Sequence, residues 1–132
     1  MKTLQEIFDF GLNHIRKQGV ACVNELLKCR YRNAEGLSCI VGGFMTADNY
    51  DPEFDHGANT SVEDVAHVPG FAQAMRGAGA DISDKETREL LGGMQSCHDN
   101  VPAGPVRGFL WGFNKNMENL AARKGLNYTP PA

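Results

Sequence analysis

Lys28-Cys29-Arg30-Tyr31-Arg32-Asn33-Ala34-Glu35-Gly36-Leu37-Ser38-Cys39-Ile40-Val41-Gly42-Gly43-Phe44 gathers basic side chains, thiols and flexible backbone in one segment. Lys28, Arg30 and Arg32 alternate with Cys29 and Tyr31, the two-residue period of a half-buried strand. Asn33-Ala34-Glu35-Gly36 carries turn chemistry, with Gly36 free to take positive φ. Within Leu37–Phe44, Ile40 and Val41 favour a returning strand. The stretch therefore predicts an antiparallel β-hairpin over residues 28–44. A four-residue loop places Arg30 beside Cys39 and Cys29 beside Ile40, whereas a bulge at Gly36 shifts that pairing by one. Asp48–Asp51 then reads as a helical turn ended by Pro52, because the residue before a proline avoids the helical region.

Outward from the hairpin the chain reads as helices. Thr3 and Glu6 form a capping box at the start of a helix over Thr3–Gln18, and Gly19 stops it. Leu4, Ile7, Phe8, Leu12 and Ile15 make its apolar face. Ser61 with Asp64 caps a short helix interrupted by Pro69-Gly70, and Phe71–Arg76 is a further helical turn. Ser83 and Glu86 open a helix whose stripe is Leu90, Leu91, Met94 and Cys97. Gly92-Gly93 inside it costs roughly 2 kcal/mol relative to two alanines, a sign of close packing or of a ligand near the backbone. The last helix starts at Pro105, runs through Val106, Phe109, Leu110, Phe113, Met117, Leu120 and Ala121, and ends at Gly125. Residues 127–132 are a polar tail.

The expected architecture is one α+β domain over residues 1–132, mostly helical, with the hairpin at its centre. Leu4, Ile7, Phe8, Leu12, Ile15, Leu90, Leu91, Phe109, Leu110, Phe113 and Leu120 form the expected core. A net charge of −3 supplies no global basic field, which argues against a nucleic-acid partner. No window is apolar enough for a membrane span, and the polar opening Met1–Glu6 is unlike a signal peptide, so the expected compartment is the cytoplasm. There Cys22, Cys29, Cys39 and Cys97 are expected as reduced thiols, and their spacings of 7, 10 and 58 match no zinc or redox pattern.

Four constellations could carry chemistry. Gly42-Gly43 joins the second strand to a helical turn, so its amides could meet an anion, with Arg30 and Arg32 as forked donors. The bland alternative is a tight turn beside solvated arginines. Cys39 could be a nucleophile with His56, His67 or His98 as base. Cys97-His98-Asp99 cannot act as a local triad, since adjacent helical residues diverge by about 100°, and cysteines are most often core residues. His14, His56, His67 and His98 with Asp55, Asp64 or Asp99 have no spacing that sets two metal ligands on one helical turn, so no metal and no cofactor is expected. Trp111 lies about 160° from the face of Phe109 and Phe113, which marks either a partner surface or a helix buried all round.

The opening Leu4-Gln5-Glu6-Ile7-Phe8-Asp9 and His14-Ile15-Arg16-Lys17-Gln18-Gly19 are followed by Cys29-Arg30-Tyr31-Arg32, Gly36, Cys39-Ile40-Val41-Gly42 and Tyr50-Asp51-Pro52. Leu91, Gln95, His98-Asp99 and the tail Gly125–Pro131 complete a pattern that resembles a family of small proteins encoded by phages and prophages. Where similar proteins carry a third cysteine after the glycine, this chain has Gly43, which weakens a metal reading. The resemblance implies a phage context, hence the host cytoplasm, but no chemistry. Together the features point to a non-enzymatic accessory binding protein, a counter-defence factor that captures a small nucleotide-type anionic signal or blocks a host protein. It could work as a homo-oligomer. The alternatives are a small hydrolase or transferase using Cys39 or Cys97 with a histidine such as His98, and a structural or assembly factor.

Overall fold

The structure, a computed structural model, describes residues 1–22, 31–46, 48–55, 62, 66–101 and 108–131. Helix α1 spans Leu4–Gln18. The Thr3 hydroxyl accepts the Glu6 amide at 3.1 Å while the Glu6 carboxylate accepts the Thr3 amide at 2.9 Å, the expected capping box. Gly19, at φ +82°, ends the helix. Helix α2 is the single turn Ile40–Gly43, and a 3-10 turn covers Pro52–Asp55. Helices α3 (Phe71–Gly77), α4 (Lys85–Asp99) and α5 (Gly108–Lys124) follow.

The expected hairpin does not form among the described residues. Among the described residues there is no strand and no sheet, so the fold is helical and not α+β. One antiparallel bridge, Arg32 to Ser38, is what forms around Asn33–Gly36. Its pairing is shifted by one from that of a four-residue loop, with Gly36 at φ +82°. Beyond it the chain coils into α2 instead of continuing as a strand. Cys39, Ile40, Val41 and Gly42 are all buried, and a strand would have alternated. A short buried apolar run cannot be assigned to strand or helix by period alone. Here tertiary contacts decide it. The Cys39 sulfur caps the turn by accepting the Gly42 amide at 3.4 Å, and Gln95 on α4 accepts the Val41 amide at 3.2 Å. Lys28, Cys29 and Arg30 lie outside the described residues.

Smaller boundaries move too. The turn expected over Asp48–Asp51 begins at Pro52 instead, where the missing N–H costs nothing. The cap of α4 is Asp84, whose carboxylate accepts the Thr87 amide at 2.9 Å, while Ser83 turns back to Asp81. The Ser61–Asp64 cap and the Pro105 start of the last helix fall outside the described residues.

Helix α1 packs on α2 and α4, and α4 packs on α2 and α5. Gly11 lets α1 approach α4 and α2 closely: a Cβ there would lie 2.2 Å from the Met94 methyl and 2.9 Å from Ile40 Cγ2. Ile7, Phe8, Leu12, Ile15, Leu90, Leu91, Phe113 and Leu120 are buried, while Leu4, Phe109 and Leu110 are half-buried against them. The tail is anchored: Asn127 exchanges two hydrogen bonds with the Gln5 amide, and Arg16 donates to both Asn114 and Tyr128.

Candidate functional site

Two polar systems hold the interior around α2. In the first, the buried Asp55 carboxylate accepts the Tyr31 amide at 2.8 Å, the Arg32 amide at 3.2 Å and the Tyr50 hydroxyl at 2.5 Å. It clips the bridge segment to the 3-10 turn. In the second, the His98 ring accepts the Cys22 amide through Nε2 at 3.0 Å. Nδ1 then carries the proton and donates to Asp99 at 2.8 Å. Gln95 donates to the same carboxylate oxygen at 2.8 Å. His98 is thus a buried cross-link with both ring nitrogens committed.

The expected anion site at Gly42-Gly43 is filled by protein. A Cβ at Gly42 would stand 1.8 Å from the Tyr31 carbonyl oxygen, and one at Gly43 would stand 2.5 Å from the His14 ring. The amides of Val41 and Gly42 already have acceptors. Arg32 is half-buried, donates to the Met45 carbonyl at 3.4 Å and lies 6.0 Å from the Tyr50 ring. The glycine pair serves close packing.

Cys39 and Cys97 are both buried side chains. Cys39 is fully buried, and loss of hydration pushes its pKa well up. Burial pushes the Cys97 thiol up to about 11, against a smaller opposing pull from Arg123. Among the described residues neither sulfur hydrogen-bonds a histidine. His67 is exposed, and His56 lies outside the described residues. His14 points its Nε2 at Ser38, 2.9 Å from the hydroxyl and 3.1 Å from the carbonyl. Burial lowers its pKa. Among the described residues no three His, Cys, Asp or Glu side chains gather as a metal set. Trp111 is about half exposed (48%), with the Lys115 ammonium 6.0 Å from its ring.

What the sequence reading missed is a groove of about 340 Å³ between the antiparallel helices α4 and α5. From α5 it is lined by Asn116, Asn119 and Arg123; from α4 come Gly93, Ser96 and Cys97, with Asn100 at its C-cap. Both sets recur at helical spacing, three, four or seven residues apart, beside the core stripes. Gly93 lets Leu120 approach, since a Cβ there would lie 3.0 Å from Leu120 Cδ1; at Gly92 a Cβ would meet nothing within 4 Å. Asn116 donates to the Cys97 carbonyl at 3.2 Å and Asn100 to the Ser96 hydroxyl at 2.7 Å. The available signal was the polar stripe Asn116-x-x-Asn119-x-x-x-Arg123 alongside the apolar one. Among the described residues no helix is long and apolar enough to cross a membrane.

Compared with known proteins, the chain matches no family model, no curated protein and no solved structure.

Proposed function

We propose that this chain is a non-enzymatic accessory binding protein, in the phage setting that its sequence resembles, and that it captures a small polar ligand in the groove between α4 and α5. The observation that carries the reading is the groove itself. Its walls offer amide, hydroxyl and guanidinium groups, and its volume falls in the range of small-molecule sites. The state of the thiols supports binding over catalysis, because a nucleophilic cysteine needs a lowered pKa and a base within reach. Burial raises the pKa of both Cys39 and Cys97, and among the described residues neither sulfur hydrogen-bonds a histidine.

Native mass spectrometry of the protein, purified gently from the cells that express it, tests the reading. A retained small molecule, lost on denaturation and reduced by substitution of Asn119, is the expected result. A bare polypeptide mass, together with rapid modification of Cys39 or Cys97 by a disulfide reagent at neutral pH, would favour the cysteine-enzyme alternative.

A further inference from the structure

Resting on that binding reading, we infer that the groove between α4 and α5 takes a mononucleotide, with Arg123 on the phosphate and the asparagines on the base and sugar. The first ground is the state of the arginines. Arg16 is committed to Asn114 and Tyr128, Arg32 to Met45, Arg76 to Asp81 and Arg88 to Ile82. Arg123 alone among the described arginines has no hydrogen-bond or ion-pair partner among the described residues. The neighbouring Lys124 reaches Glu89 at 3.8 Å and draws that carboxylate to itself. A guanidinium left with its fork open on a groove wall is a ready receptor for a phosphate.

The second ground is how the other groups are spent. Asn116, on the groove wall, uses its NH₂ on the Cys97 carbonyl, which leaves its Oδ1 as an acceptor. Ser96 accepts from Asn100, which leaves its hydroxyl hydrogen to donate. Asn119 has neither half of its amide engaged among the described residues. The groove therefore presents donors and acceptors in mixed order, as the edge of a nucleobase and a ribose require. The third ground is spacing. Asn116 and Arg123 are seven residues apart on one helix, about 10 Å along its axis. A lone phosphate cannot bridge that distance, whereas a molecule with a phosphate at one end and a base at the other can.

Isothermal titration of the full chain with AMP, GMP, CMP and UMP, with adenosine and with inorganic phosphate tests the assignment, alongside the variants Arg123→Gln and Asn119→Ala. Both positions are exposed, so melting curves should match the parent protein. At least one nucleotide should bind ~10–100-fold more tightly than adenosine or phosphate, and Arg123→Gln should abolish its advantage over the nucleoside. Asn119→Ala should weaken nucleotide and nucleoside alike. Failure of every nucleotide to bind more tightly than adenosine, or a nucleotide affinity unchanged by Arg123→Gln, would overturn the anionic class and leave the groove as a site for a neutral ligand. If none of these probes binds while native mass spectrometry still finds a retained molecule, the nucleotide assignment fails and the binding reading stands. If no molecule is retained either, both fail.

Discussion

The carbonyl oxygen of Tyr31 occupies the space that a side chain on Gly42 would need, 1.8 Å from the position of its Cβ. The obstacle is backbone, pinned by the Cys39 amide at 3.1 Å and by Asp55, so it cannot yield as a flexible side chain would.

Gly42→Ala should therefore destabilise the protein by roughly 3 kcal/mol or more through overpacking. Gly92→Ala, in open space inside α4, should stabilise it by up to about 1 kcal/mol. Chemical denaturation of the pair checks both signs. A tolerated Gly42→Ala would show that α2 does not approach the bridge as described.

Asp55→Ala removes the acceptor of two amides and a tyrosine hydroxyl at once. Buried donors left unsatisfied make the loss about 3 kcal/mol. A change within the error of a urea titration would refute the clip.

Acid should weaken the fold through His14. Burial lowers its folded pKa below the ordinary value of 6.5, so the unfolded chain binds the proton more readily. Its contribution is complete above the unfolded pKa. It is lost as pH falls from about 6.5 toward the lower folded value. His14→Gln should flatten that part of the stability–pH curve, which thermal melts in a buffer series will read.

Alkylation of Cys39 and Cys97 should be slow at neutral pH. Cys97 should speed up as pH approaches about 11, while Cys39 should wait for unfolding. Mass mapping of the modified peptides distinguishes the two.

The long helices α1, α4 and α5 were readable from their apolar stripes. In α1, the cap from Thr3, the stripe from Ile7 to Ile15 and the stop at Gly19 agree. The stripe of Phe113, Met117 and Leu120 places α5 in the same way. The stretch 37–44 was misread because β-branched Ile40 and Val41 carry a local preference that distant partners override: Gln95 from α4 and the Tyr31 carbonyl. The Tyr31 carbonyl and the His14 ring explain the glycine pair, which sequence alone could equally assign to an anion. The groove escaped because it belongs to two helices whose facing was not fixed by either sequence. Asn116 and Asn119 look like ordinary solvated positions until α4 is set against them.

Amide chemical-shift mapping during titration with the tightest-binding nucleotide locates the ligand on the protein. Shifts confined to the faces around Ser96–Asn100 and Asn116–Arg123 are the expected result. Shifts centred on Arg32 and Gly42-Gly43, or a spectrum that does not move, would contradict a binding site between α4 and α5.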